Sequence, residues 1–409
     1  MSIRVVITGL GVVSPAGNDV KTFWKTLCDG RSCISTIRAF DASDLPCRIA
    51  AEVEPVVPEG MSKKDIHRRD RYTIMGLYAA DAAVAQSGID VNSENPYRCG
   101  VTLGTGIGGL ETMDANITAF ATKGARRVSP LAVPKSLANM APGEIGIRYG
   151  FAGPNKAVVT ACASSNQAIR EASALIKLGE ADVMITGGAE AVVIPFGMAA
   201  FAAMKAMSTR NDDPARASRP FDADRDGFVM GEGAGILILE SEAHAKARGA
   251  DILGEIAGCG ETCDAHHIVA PTEDGAGTAR AMQLALEQAR LNGEDIDYYN
   301  AHGTSTKYND ASESRALRTV FGDAMPPVSS TKSMIGHLLG GAGAVEALAT
   351  LMSIRSGVIH PSINVENPDP ECDVNLVANT AQERQVDVAM SNSAGFGGHN
   401  ASIILKKYA

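Results

Sequence analysis

Lys156-Ala-Val-Val-Thr-Ala-Cys162-Ala-Ser-Ser-Asn-Gln-Ala-Ile-Arg170 is the stretch on which the reading of this chain turns. Ala157 to Ala161 read as a buried strand, and the residues after Cys162, through about Lys177, read as a helix. The cysteine then falls at a strand-to-helix turn, at the positive end of a helix dipole. A thiolate is stabilised there, and the thiolate is the nucleophile. On local context alone the commoner reading is a small buried hydrophobe, which is how most lone cysteines behave. Two histidine loops later in the chain bear on that choice.

Working outward, apolar strands alternate with helices rich in small residues. Arg4 to Thr8, Arg98 to Leu103, Ala181 to Thr186 and Gly235 to Leu239 read as strands, with helices over Asp19 to Asp29 (Trp24 on its buried face) and Asp70 to Ser87. The rhythm resumes near Ile252 with strands at Gly254 to Gly258, Asp297 to Asn300, Val386 to Ser391 and Ala401 to Lys406, and a helix over Gly275 to Ala289. This pattern predicts an α/β protein with covered sheets. Two halves, 1–251 and 252–409, share the strand–loop–helix rhythm and suggest an internal duplication. No low-complexity linker separates them. Arg216 to Gly233 breaks the rhythm with dense charges and glycines. It reads as an ordered loop held by internal ion pairs near a functional pocket, or as a plain surface loop.

Composition narrows the classes. The 409 residues are 45% hydrophobic and 21% charged, an ordinary globular balance with ample core. The net charge of −10 makes broad nucleic-acid binding a poor fit. The eight cysteines are scattered, which fits a reducing cytosol. Cys259 and Cys263 lie close to His266 and His267, but no second ligand pair completes a zinc site, so no metal is expected. The N-terminus enters a strand at once without a signal-peptide pattern. No apolar run is long enough to span a bilayer. The expectation is a cytoplasmic protein.

The two histidine loops are Asn300-Ala-His302-Gly-Thr-Ser-Thr306 and Ser329-Ser-Thr-Lys332-Ser-Met-Ile-Gly-His337-Leu-Leu-Gly-Gly. Either histidine alone would more often be structural than catalytic. Near the C-terminus Asn392-Ser-Ala-Gly395-Phe396-Gly-Gly398 permits close backbone approach, which suits an oxyanion hole built from N–H groups.

Thr160-Ala-Cys162, His302-Gly-Thr-Ser-Thr306, Lys332-Ser-Met-Ile-Gly-His337 and Gly395-Phe-Gly-Gly398, in that order, resemble the β-ketoacyl-acyl carrier protein synthases, most nearly the elongating type. Each motif is weak alone; four in order at matching spacing are specific, and the resemblance covers essentially the whole chain. It implies the thiolase fold, a five-layered αβαβα body of two related halves that dimerises. It implies that Cys162 accepts the acyl group and that His302 and His337 complete a Cys-His-His triad. Lys332 then pairs with Glu346 in support, and the N–H groups of Cys162 and Phe396 form the oxyanion hole. Thr304 and Thr306 resemble the hydroxyls that hold a phosphopantetheine arm. Ile107, Ala132, Phe201, Asp264, Ala394 and Phe396 fall at positions of the acyl pocket and its gates. The implied reaction is a decarboxylative condensation with malonyl bound to acyl carrier protein. It needs no metal, nucleotide or flavin.

Carrier protein is acidic, so an acidic enzyme needs a local basic patch. Lys63, Lys64, Arg68 and Arg69 cluster near a helix start, and Arg126, Arg127 and Lys205 resemble the family's docking positions. A solvated helix face is the plainer reading of the same charges.

Two departures matter. Ala394 stands where the family usually has Phe, and Ala132 where a bulky aromatic is common at the dimer-facing end of the acyl pocket. Both open volume and hint at a longer, stiffer or oxygenated acyl chain. Lys307-Tyr308 after Thr306 is unusual too. Fatty-acid elongation as a homodimer therefore stands beside a polyketide ketosynthase paired with a chain-length-factor-like subunit. An inactive chain-length factor fits poorly with retention of all three triad residues. A nucleotide-binding dehydrogenase is the rival class, because Gly104-Thr-Gly106-Ile-Gly-Gly109 matches Gly-x-Gly-x-x-Gly. That motif is weak alone and lies far from the first βα unit.

Overall fold

A computed structural model describes residues 3–409. Ten strands form one continuous sheet. In the first half these are β1 (Val5–Val13), β2 (Cys99–Gly104), β3 (Asn155–Val158), β4 (Val183–Glu190) and β5 (Gly233–Ser241). In the second they are β6 (Gly254–Cys263), β7 (Tyr298–Asn300), β8 (Val328–Ser329), β9 (Val388–Gly395) and β10 (His399–Lys406). The spatial order is β3-β2-β4-β5-β1-β6-β10-β9-β7-β8.

That order is a duplication. Within each half the first three neighbours run parallel, the next two pairs antiparallel, and the first strand closes the set. The halves join where β1 and β6 pair over two residues, Val6 with Glu255 and Ile7 with Gly254.

The helices repeat as well. α1 (Arg71–Ser87) packs on β1 and β5, and α2 (Met140–Tyr149) packs on α1. α4 (Ala276–Ala289) packs on β6 and β10, with α5 (Lys307–Phe321) beside it. Between the half-sheets lie α3 (Ser164–Lys177) and α6 (Ala342–Ser356), in contact with each other. This gives five layers, αβαβα. α6 is buried almost throughout, as a helix with sheet on two sides must be, and so carries no amphipathic stripe.

One packing device appears in both halves. A Cβ on Gly9 or Gly11 would lie 2.2 Å or 1.8 Å from a carbonyl oxygen of α1, those of Ala83 and Ala79. A Cβ on Gly258 or Gly260 would lie 2.2 Å or 2.0 Å from those of Ala285 and Ala281 in α4. Paired glycines on the first strand of each half thus let the next helix sit directly on the sheet.

Two local expectations need correction. The strand before Cys162 ends at Val158 and is only half-buried, because β3 is an edge strand; Val159 is exposed. Trp24 is half-buried, and Phe23 and Leu27 form the buried face of its helix.

Candidate active site

The chain after β3 does not turn smoothly into α3. Ala161 adopts φ +50, a left-handed conformation that a non-glycine residue rarely takes, and Ala161–Ala163 form a 3-10 turn. Ser164 braces it, its Oγ accepting the Thr160 N–H at 2.9 Å and lying within bonding range of the Ala161 and Thr105 carbonyls. Cys162 projects from this turn into the floor of a cavity of about 510 Å³.

His337 reaches it from the second half. Its Nε2 is 3.0 Å from Cys162 Sγ, while its Nδ1 accepts the Leu339 N–H at 3.3 Å. His302 stands edge-on to His337 with ring centroids 5.3 Å apart. Phe228 packs on the other side of His337 at 5.6 Å. Burial, and then the nearby Lys332 charge, hold both imidazoles well below the usual histidine range, so both are neutral. Lys332 and Glu346 are themselves buried and form an ion pair behind the histidines.

The thiol departs from the expectation of a pre-formed thiolate. Burial pushes Cys162 up to about 12; Lys332 pulls it down, and Glu190 and Glu346 raise it further. A helix N-terminus contributes about 0.3–1 kcal/mol to a nearby anion, too little to offset removal from water. The resting residue is a neutral thiol.

The glycine loop closes over it. β9 runs to Gly395, and a Cβ there would lie 3.0 Å from the Cys162 backbone nitrogen, the space an oxyanion would need. Phe396 lines the cavity at the following turn. Asp264 lies against this turn: its N–H donates to Gly398 at 2.8 Å and its carboxylate accepts the Asn400 amide at 2.7 Å.

The loop over Arg216 to Gly233 is ordered by ion pairs and feeds the cavity. Arg219 meets Asp222, and Arg225 meets Asp369 and Asp310. It also holds both histidine loops: the His337 N–H donates to Val229 at 2.7 Å, and the Gly227 N–H donates to Ser305 at 3.2 Å.

Of the residues singled out in the sequence, Cys162, His302, His337, Ile107, Phe201, Asp264, Thr304, Thr306, Ala394, Phe396 and Lys205 all border this one cavity. The Thr304 and Thr306 hydroxyls bond each other at 2.9 Å near its mouth, beside Lys307 and Tyr308. Ala132 does not line it; it sits half-buried on a short helix beside exposed Leu131 and Val133. Lys63, Lys64, Arg68, Arg126 and Arg127 are exposed. Arg69 is not free for a partner, because Glu144 engages it at 2.7 Å.

Sequence reasoning missed two buried carboxylates. Glu313 accepts the His302 and Gly303 N–H groups, each at 2.8 Å, and the Asn392 amide at 3.1 Å. Glu190 accepts the N–H groups of Gly106, Ile107 and Gly340. The signal for Glu190 was a charged residue ending an otherwise apolar strand. It also explains the Gly104 to Gly109 loop. The group cradled by that loop's N–H groups is the Glu190 carboxyl, an internal side chain rather than a dinucleotide phosphate.

Comparison with known proteins agrees with this geometry. Residues 2–245 match the family described as beta-ketoacyl synthase, N-terminal domain, and residues 253–366 the corresponding C-terminal domain. A Synechocystis protein named 3-oxoacyl-acyl-carrier-protein synthase 2 is 48% identical over 408 residues, covering 99% of this chain and 98% of its own. Among solved structures, the ishigamide ketosynthase/chain length factor superposes with TM-score 0.94 at 35% identity, covering 100% of both chains. A type II polyketide ketosynthase, in complex with its acyl-carrier protein and bound to a hexaketide, superposes with TM-score 0.93 at 32% identity, again over 100% of both chains. The chain therefore belongs to the beta-ketoacyl synthase family.

Proposed function

We propose that the protein is a condensing acyltransferase that extends an acyl chain by two carbons in fatty-acid elongation, using malonyl held on acyl carrier protein. The observation that carries this reading is one buried thiol facing two neutral imidazoles in a single cavity.

The acyl group moves from its carrier thiol to Cys162 Sγ, and the Cys162 proton ends on the released carrier thiol. N–H groups of Cys162 and Phe396 hold the tetrahedral oxyanion. Malonyl-carrier then loses carbon dioxide. Its thioester oxygen becomes an enolate, which needs donors that are not themselves easily deprotonated. Neutral imidazole suits this, and the Leu339 N–H on His337 Nδ1 leaves the His337 proton on Nε2. The enolate carbon attacks the Cys162 thioester, Cys162 leaves as thiolate, and it regains a proton from solvent. No cofactor enters these steps. Thr304 and Thr306 suit the hydroxyl- and amide-rich phosphopantetheine arm at the cavity mouth.

The relative at 48% identity is named for 3-oxoacyl-acyl-carrier-protein synthesis, which favours elongation over polyketide assembly. A polyketide role with a chain-length-factor-like partner is the second reading, favoured by Ala394 on the cavity wall. In either case a dimer and an acidic carrier docked near Lys205 are part of the proposal, as is residence in the cytoplasm. The experiment is mass spectrometry of carrier-bound products from this protein alone, given malonyl-carrier and acyl-carriers of several lengths. Extension of saturated chains supports elongation. Acylated Cys162 without extension supports the partnered reading, and no acylation overturns both.

A further inference from the structure

Glu190 is the last residue of β4 and is completely buried. Among the described residues it forms no salt bridge, and its oxygens accept from neutral donors. Gly106 N–H donates at 2.5 Å, Gly340 N–H at 3.1 Å, Ile107 N–H at 3.3 Å and the Thr105 hydroxyl at 3.1 Å. These donors belong to two separate loops. One carries Ile107, a wall of the cavity; the other follows His337 by three residues.

The two loops are also in direct contact. A Cβ on Gly340 would lie 2.0 Å from the Gly106 nitrogen and 2.7 Å from Glu190 Oε2. Both positions are glycine because the backbones and the carboxylate fill the same small space. The Ser165 hydroxyl fixes the Gly340 carbonyl from α3, and the Thr105 carbonyl bonds Ser164, which braces the turn bearing Cys162. A displacement of the Ile107 backbone therefore bears on the segment that supplies the Leu339 N–H to His337.

We propose that Glu190 is a positioning residue that latches the Ile107 loop to the His337 turn, so that what occupies the acyl cavity sets the geometry of the histidine. This rests on the condensing reading above. Filling the cavity presses on Ile107, the Gly106 and Ile107 N–H bonds to Glu190 yield, and Gly340 and Leu339 shift with them. Glu190 touches no substrate and acts through these two loops.

The test is Glu190→Gln, which keeps shape and turns one acceptor oxygen of the shared carboxyl group into a donor. Transfer of short and long acyl groups to Cys162 is measured by mass spectrometry, and hydrogen exchange is followed over residues 103–110 and 335–342. The expected result is faster exchange in both segments together. The ratio of long-chain to short-chain transfer should shift by about tenfold, the scale of one lost buried hydrogen bond. In an Ile107→Ala background the same substitution should leave that ratio unmoved, because the latch then has no side chain to position. An unchanged ratio in Glu190→Gln, or an equal shift in both backgrounds, overturns the proposal. If Glu190→Gln does not fold, Thr105→Val removes one donor to the same carboxylate. It should give a smaller shift in the same direction, and no shift overturns the proposal. Acylation of the wild type is scored separately. Its absence defeats the condensing reading, whereas coupled exchange still reports on the latch.

Discussion

His337 Nε2 stands 3.0 Å from Cys162 Sγ while its Nδ1 is committed to the Leu339 N–H. The imidazole therefore faces the sulfur as a donor, not as a base. It can steady a developing thiolate and later an enolate oxygen, but it does not strip the thiol at rest. Replacing Cys162 by Ala should abolish the acyl adduct seen by intact-protein mass spectrometry and leave the thermal unfolding midpoint close to wild type, since the side chain lost is small. An adduct on Cys162→Ala would move the nucleophile elsewhere.

A neutral, buried thiol makes a pH prediction. Burial has raised Cys162 towards about 12, so the thiolate fraction keeps growing with pH through the neutral and mildly alkaline range. Alkylation of the free enzyme by iodoacetamide should rise about tenfold per pH step of one, with no plateau up to about pH 9. A plateau near pH 7 would mean a preformed thiolate and would restore the helix-end argument.

How much of this was legible in the sequence follows from what each signal depends on. The strand–helix rhythm is local, so the α/β class could be read directly, whereas the grouping of Cys162, His302 and His337 was implied only by the resemblance that four motifs in order carry. The duplication was faint because its clearest mark is steric. Gly9 and Gly11 against Ala79 and Ala83 match Gly258 and Gly260 against Ala281 and Ala285 only once the helices are seen on the strands. Ala161 looked like strand because its left-handed backbone is imposed by Ser164 and the neighbouring loops, not by its own preference. Glu190 showed only as a charged residue ending an apolar strand, and Glu313 not at all. Both are held in part by backbone N–H groups of other loops, which leave no residue-type signature.

The histidines are shifted in opposite directions. Burial and Lys332 hold His302 and His337 low, so their imidazole resonances should not move between about pH 8 and 6. His244 bonds Glu240 at 2.6 Å and Glu94 at 2.9 Å, which raises it above the ordinary value. A raised histidine contributes stability that is full below its unfolded value and is lost as pH rises through its folded one. His244→Gln should therefore cost roughly 1 kcal/mol at pH 6 and much less at pH 9, read by urea denaturation. An equal cost at both pH values would mean that packing alone is lost.

The Lys332–Glu346 pair sits wholly out of water, so its two members are unequal to their sum. Removing one leaves an unpaired buried charge, and Lys332→Ala or Glu346→Ala should each cost about 3–5 kcal/mol. Lys332→Met with Glu346→Leu should recover most of that stability but not decarboxylation of malonyl-carrier, because the charge that helps keep His302 and His337 neutral is gone. Full recovery of both would reduce the pair to a packing element.

Ala394 lies on the cavity wall where β9 nears its turn, paired with Asn400 across the hairpin. Even a Cβ on its neighbour Gly395 would lie 3.0 Å from the Cys162 backbone nitrogen, so the strand has little room to move towards the nucleophile and absorb a larger side chain at Ala394. The ring of Ala394→Phe must project into the cavity of about 510 Å³ and take room from the acyl chain. Short acyl groups should still reach Cys162 at near wild-type rates. The longest accepted groups should transfer at least about tenfold more slowly, a penalty expected when even one or two methylenes lose their place in an apolar pocket. The measurement is the rate of Cys162 acylation across a series of acyl-carriers, wild type beside variant. A uniform loss at every length would locate Ala394 in loop movement instead, and an unchanged profile would show that the chain runs along another wall.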